Sequence, residues 1–335
     1  MTDPIPHWPG RMVSLASGEL VYVAETEPLF PVGTNQPACW QKPAGGSVRN
    51  DPKDLVLCVH GMSGAATNWT DFMAELAPDF DCKAVDLPGS GFSPPPRTRS
   101  GYSIKALAGT VVSLIETLGA GPVHLVGNSM GGAVCIRVAV ARPDLVRTLT
   151  LISPVLPDLK VRRELLQFPL AALPLLGERM MRRIQLLPPE NRVAGVVATC
   201  FYDPGAVHPE RFMLEVAELR RRDKLGHGAA SLSLAARTIV AETLRPRKHS
   251  LWRAAGEIKV PVLVMFGSHD RLVSPRLAGP AARAFRNASV EVLPRTGHVA
   301  QMEHPALVAV RVREMVERAR GDATGNAGRR DPVDA

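Results

Sequence analysis

The sequence predicts an α/β protein: a mostly parallel sheet of about eight strands flanked by helices, with a helical cap inserted after a core strand. Three observations carry that prediction. First, short apolar runs without polar alternation, such as Asp54 to Val59 (DLVLCV), read as strands buried on both faces. Second, helical patterns fall between these runs, which is the alternation that right-handed crossovers of a parallel sheet require. Third, the alternation stops from Pro154 to Lys259, where nine prolines punctuate helical text with no strand signal.

Taken in order, Met12 to Glu25 holds two apolar stretches around Ser17-Gly18 and predicts a hairpin. Thr26 to Pro52 is rich in Pro, Gly and Asn and reads as a long loop or insertion. The strand at Asp54 to Val59 is followed by candidates at Cys82 to Asp86, Val123 to Val126, Leu149 to Ser153, Val262 to Phe266 and Val290 to Leu293. Helical patterns cover Trp69 to Leu76, Ile104 to Leu118, Met130 to Ala141, Ala278 to Phe285 and Pro305 to Ala319. The expected organisation is a core of residues 1–155 and 251–320, a cap over 156–250 and a disordered tail over 321–335.

At 335 residues, 45% hydrophobic and 21% charged, the chain can bury a large core and is not fibrous, collagenous or disordered overall. The formal charge is +8, of which residues 156–250 supply +6, with 16 Lys and Arg against 10 Asp and Glu. That excess reads as arginine-rich helix faces in water, and no nucleic-acid partner is implied. Five cysteines (39, 58, 82, 135 and 200) are odd in number, widely spaced and without a C-x-x-C pair, as expected of free thiols in a reducing compartment. The start, MTDPIPHWPGR, lacks the basic residue cluster and apolar run of a signal peptide, so the expected location is cytoplasmic. No run of eighteen apolar residues occurs, so no transmembrane segment is expected.

The chemistry concentrates at predicted strand ends. VHLVGNSMGGAV (123–134) places Gly127, Ser129 and Gly131 as G-x-S-x-G between a strand and a helix. A serine on so sharp a turn is strained, needs small neighbours two residues away on each side, and stands at a helix N-terminus that favours negative charge. A serine hydroxyl is a poor nucleophile unless a base takes its proton, and the base works best when a carboxylate fixes its tautomer. GSHD puts Asp270 just past one strand, and TGH puts His298 past the next, 28 residues on. After the first core strand, His60-Gly61-Met62 offers a backbone N–H, that of Met62, which with the N–H of Met130 would make a two-donor oxyanion hole.

Over residues 12 to 320 the chain resembles the α/β-hydrolase superfamily, on the residues HG (60–61), DLPGSGFS (86–93), GNSMGG (127–132), GSHD (267–270) and GH (297–298), in that family's order. The resemblance implies Ser129 as nucleophile, His298 as general base, Asp270 as the acid that orients it, and a small, apolar ester or related acyl substrate, with no cofactor and no metal. GNSMGG and GHVAQMEH (297–304) also resemble the meta-cleavage-product hydrolases, which cut carbon–carbon bonds with the same three residue types. That subfamily usually carries H-G-G-G-P-G and a tryptophan after the histidine, where this chain has HGMSGA and Val299. A non-catalytic binding member of the fold is the third reading, and the sequence leaves the oligomeric state open.

Other candidates carry plainer readings. Asp158 competes with Asp270, since some members of the fold take the acid after the preceding core strand. Glu303 reads as a first-turn residue before Pro305, and His60 as a structural group below the site. His208, His227, His249, His269 and His304 lack metal-ligand spacing. Pro88-Gly89-Ser90-Gly91 does not form the dinucleotide fingerprint. LLQFPLAALPLLGERMMRRIQLL (165–187) mixes apolar and arginine positions at near-helical spacing and reads as an amphipathic lid helix pair packing on the core; the sharper reading is that its apolar face lines an acyl pocket, with Arg182 or Arg183 meeting a substrate carboxylate.

Overall fold

The computed structural model describes residues 5–26, 53–158 and 167–327. Its centre is an eight-stranded sheet. The first two strands, β1 (Gly10–Ser14) and β2 (Leu20–Glu25), form the expected antiparallel hairpin, with Gly18 at φ +77° in the turn. Then come β3 (Leu55–Val59), α1 (Thr70–Leu76), β4 (Asp81–Val85), α2 (Ile104–Leu118), β5 (Val123–Asn128), α3 (Met130–Ala141) and β6 (Val146–Ile152). After the insert the chain returns through α9 (Leu251–Ala255), β7 (Val262–Gly267), α10 (Ala278–Ala284), β8 (Ala288–Leu293), α11 (Ala300–Glu303) and α12 (Pro305–Ala327). The strands lie in the order β1-β2-β4-β3-β5-β6-β7-β8; β2 runs antiparallel to its neighbours and β3 to β8 are mutually parallel.

The unbroken apolar runs are explained by packing on both faces. Along β3, Leu55, Leu57 and Val59 face the side covered by α2, α3, α9 and α10, while Val56 and Cys58 face the side covered by α1 and α12. β7 repeats the division, with Val262, Val264 and Phe266 on one side and Leu263 and Met265 on the other. Every residue of β3, β5 and β7 is buried. β8 is an edge strand and is only partly covered, which is why its expected start at Val290 falls two residues late.

The insert between β6 and β7 is helical, with α4 (Gln167–Ala172), α5 (Leu176–Gln185), α6 (Pro189–Cys200), α7 (Pro209–Asp223) and α8 (Gly228–Thr243). Several residues of the insert tie it to the core, among them Arg222 and Ser231. Arg222 donates to the Ser63 carbonyl at 3.0 Å, and the Tyr102 and Ser231 hydroxyls lie 2.8 Å apart. α12 runs eight residues past the expected end at Ala319, into the segment read as tail, and residues 328–335 lie outside the described residues. So do residues 27–52, nearly all of the expected insertion, which includes Cys39. Cys58, Cys82 and Cys135 are free and buried, and Cys200 is free and half-buried. Among the described residues no helix is long and apolar enough to cross a membrane.

Candidate active site

β5 ends at Asn128 and α3 begins at Met130, so the whole reversal falls on Ser129, at φ 54° and ψ −118°. A non-glycine residue there is strained, by about 1–3 kcal/mol, and must be held by its surroundings. The hold is visible on both sides: Ser129 N–H donates to the Ile152 carbonyl at 3.0 Å, and Val155 N–H donates to the Ser129 carbonyl at 3.0 Å. The flanking glycines are needed for space. A Cβ on Gly131 would stand 2.2 Å from the Val59 carbonyl oxygen, and one on Gly127 would stand 2.7 Å from Cys135 Sγ and from the Gly131 carbonyl oxygen.

Asp270 and His298 come together past the ends of β7 and β8. His298 Nδ1 lies 2.9 Å from Asp270 Oδ2, and both residues are buried. The other carboxylate oxygen, Oδ1, accepts from the N–H groups of Leu272 and Val273 at 2.8 and 2.9 Å. Burial alone would push this carboxyl up, but His298 and the Val273 amide hold it below the ordinary aspartate value. Asp270 is therefore ionised, and the pairing directs the Nδ1 proton of His298 at it, which leaves Nε2 as the lone-pair nitrogen. Asp158, the competing acid, lines the same cavity, but the carboxylate that meets His298 is that of Asp270. Among the described residues no hydrogen bond joins Ser129 to His298; the two residues share the wall of one cavity.

Three positioning residues escaped the sequence reading. Asn128 Nδ2 donates to the carbonyls of Ile152 and His298, at 3.1 and 3.0 Å, and so ties the turn to the histidine loop. His298 N–H donates to the Cys200 carbonyl at 2.6 Å, which anchors that loop to the end of α6. Glu303 accepts from Gly297 N–H through Oε1 and from Tyr202 N–H through Oε2, both at 2.7 Å. It clamps the histidine loop to the insert instead of serving only as a helix-start residue. The residue types were visible in GNS and GHVAQME, but nothing in their spacing named partners 98 to 170 positions away.

Met62 and Met130 line the cavity beside Ser129, and Met130 opens α3, so its N–H has no partner within the helix. His60 lies beneath: its Nδ1 meets the Gly61 carbonyl at 2.7 Å and its Nε2 accepts Leu87 N–H at 3.0 Å. Burial pushes its pKa down to about 4, so it is a neutral strut. Asp86, in the DLPGSG turn, accepts from Ala66 N–H and Phe92 N–H, both at 2.7 Å, and burial pushes its carboxyl up to about 6.

The cavity encloses about 1800 Å³ and is bounded by core loops on one side and by α5 to α8 on the other. Met180, Met181, Ile184, Val193, Leu232 and Ile239 give it an apolar wall. Arg182 and Arg183 do not reach it: both are exposed, because the inward turn of α5 carries Met180, Met181 and Ile184, and positions 182 and 183 fall on the opposite face. The arginines that do line it include Arg192, paired with Asp223 at 2.7 Å, and Arg211, paired with Asp71 at 2.5 Å. Among the described residues no group of three His, Cys, Asp or Glu could hold a metal ion.

Comparison with known proteins agrees with this architecture. Residues 54–305 match the model of the alpha/beta hydrolase fold family. The chain is 32% identical over 252 residues to the dihydrolipoyllysine-residue acetyltransferase component of the acetoin cleaving system of Pseudomonas putida. That match covers 74% of this chain and 59% of the relative, so the chain spans under two thirds of that relative's length. It is 28% identical to the 2-hydroxy-6-oxononadienedioate/2-hydroxy-6-oxononatrienedioate hydrolase of Burkholderia vietnamiensis, over 75% of this chain and 83% of that one. In fold it is similar to a meta-cleavage product hydrolase of Pseudomonas fluorescens, with a TM-score of 0.68, 17% identity, and 92% and 98% of the two chains covered. The turn at Ser129, the sheet order and the family match over three quarters of its length together establish that this chain belongs to the α/β-hydrolase fold family.

Proposed function

We propose that the chain is a serine hydrolase of carboxylic esters or related small acyl compounds, working through Ser129, His298 and Asp270. The observation that carries this reading is the ionised Asp270 at 2.9 Å from His298, with His298 and the strained Ser129 on the wall of one apolar cavity. In the proposed cycle Ser129 Oγ attacks the carbonyl carbon, and His298 Nε2 takes the hydroxyl proton as the two close on bound substrate. The oxyanion that forms meets the N–H groups of Met62 and Met130, each worth about 3 kcal/mol by analogy with single-donor losses. His298 returns the proton to the leaving group, the acyl group stays on Ser129, and water attacks by the same route. Residues 156–250 act as a cap that walls the acyl pocket and excludes water, over a core of 1–155 and 251–320. The free, mostly buried cysteines support a reducing, cytoplasmic setting.

Cleavage of a carbon–carbon bond is the second reading, supported by the 28% identical dienedioate hydrolase. Two of the cavity's arginines weigh toward the ester: Arg192 and Arg211 already face carboxylates of this chain, which leaves them committed before a diacid arrives. The test is hydrolysis of p-nitrophenyl esters from acetate to dodecanoate by the native protein and by Ser129→Ala, with a fluorophosphonate label as a second readout. Ester turnover and labelling that both vanish in the variant support the proposal. Labelling without ester turnover, together with cleavage of a dienoate ring-fission product, would replace it with the carbon–carbon reading. Neither labelling nor turnover would leave a binding member of the fold.

A further inference from the structure

Helix α5 has two faces of opposite character. On the inner face Gly177 is buried against α4 and α8, where a Cβ would stand 1.9 Å from the Ala171 carbonyl and 2.9 Å from Ser233 Oγ. Met180, Met181, Ile184 and Gln185 continue that face along the cavity. The outer face starts with Leu175, 73% exposed just before the helix, and Leu176. It continues through exposed Arg179, Arg182 and Arg183 and ends at Leu186, 84% exposed. Their spacing of three and four residues keeps these six side chains on one stripe. A stripe with leucines at both ends and three guanidinium groups between them is not the polar surface that water alone would select.

The charges decide what fits it. Among the described residues Arg179, Arg182 and Arg183 have no carboxylate partner, and the one acid in α5, Glu178, is paired with Arg237 at 2.5 Å. A second copy of the chain related by two-fold symmetry would set these arginines against themselves. A neutral apolar partner would leave them unpaired. An anionic lipid layer satisfies both chemistries, since the acyl zone takes the leucines and the headgroup phosphates take the guanidinium groups. The cavity rim supplies the second observation: Leu187, next to Leu186 at the end of the stripe, is exposed and also lines the cavity, as do Ile184 of the inner face and Val196 of α6, so the stripe ends at the cavity mouth.

We infer that the outer face of α5 docks on anionic lipid surfaces, which places the mouth of the cavity at the lipid layer. Docking stands apart from the ester reading, because it uses no residue of the Ser129 site and is measured without turnover. The experiment is co-sedimentation of the full chain with phosphatidylcholine vesicles, with and without phosphatidylglycerol, at low and raised salt. The native protein pellets with the phosphatidylglycerol vesicles alone and is released by salt. The triple variant Arg179→Gln, Arg182→Gln, Arg183→Gln weakens partitioning on the order of 100-fold, at roughly fivefold for each basic residue. The double variant Leu175→Ser, Leu186→Ser weakens it as well. Both keep the native melting temperature and circular dichroism, because every altered side chain is exposed. Native protein that stays in the supernatant, or a triple variant that binds as well as native, overturns the inference. So does a native dimer that Leu186→Ser dissociates while vesicle binding is absent.

Discussion

Helices α3 and α5 are of similar length and have opposite surroundings. In α3, nine of twelve residues are buried; in α5 the one buried residue is Gly177. α3 is wedged between the sheet and α2, and its first turn carries the strained Ser129, so no neighbour can move without disturbing the turn. α5 packs by a narrow inner stripe and faces outward over the rest. The contrast separates two jobs. Chemistry needs atoms held within fractions of an ångström by a close-packed core, whereas a pocket wall and a docking surface need only present side chains of the right character.

The largest expected effects fall where packing is tightest. Ser129→Ala lowers kcat for a p-nitrophenyl ester on the order of 10⁶-fold, and Asp270→Asn about 10⁴-fold because the histidine loses its tautomer. Both variants fold normally, as judged by thermal melts. A Ser129→Ala enzyme within tenfold of native would sink the assignment of the turn as the reactive centre.

Glycine substitutions sharpen the contrast, because the same added methyl changes sign between the regions. Gly131→Ala costs about 3 kcal/mol or more, since the new Cβ meets backbone oxygens of Val59 and His60 that cannot rotate away. Gly195→Ala, in the middle of α6 with nothing within 4 Å of the new Cβ, stabilises by about 0.5–1 kcal/mol through helix propensity. Urea denaturation of the two variants measures the pair; equal signs would refute the division.

The pH dependence of folding is also set in the core. His60 and His124 are buried, and burial holds each pKa near 4 against an ordinary 6.5. Their stabilisation is complete above pH 6.5 and is lost as pH falls toward 4, because the unfolded chain takes up the protons first. Asp86 acts in the reverse sense: its carboxyl is raised from 3.8 to about 6, so its contribution is full below 3.8 and lost as pH rises through 6. Burial holds His7 near 4 as well, and these three histidines outweigh the raised carboxyls of Asp86, Glu215 and Glu303, so stability falls from pH 6.5 to 4, and a His124→Gln variant shows a shallower fall in denaturant midpoints over that range.

The smallest expected effect is on α5. Arg182→Ala and Arg183→Ala leave KM for neutral and acidic soluble esters within about twofold, as surface substitutions away from the cavity do. A tenfold rise in KM for the acidic ester alone would bring the outer face back into substrate recognition.

The amino-acid sequence by itself determined the sheet and the sharp turn at Ser129, because both are written locally. Five-residue apolar runs bounded by turn residues and separated by helical patterns read as strands covered on both faces, and G-x-S-x-G between a strand and a helix reads as a tight turn with the serine at its apex. Tertiary structure alone decided the rest. Whether Asp270 or Asp158 meets His298 depends on which strand end lies beside β8, and both acids follow strands. That Asn128, Cys200 and Glu303 hold the histidine loop depends on partners far along the chain, which periodicity cannot register. Which way Arg182 and Arg183 turn depends on the side of α5 that α4 and α8 cover; an amphipathic pattern records that a helix has two faces, and only packing settles which one the cavity receives.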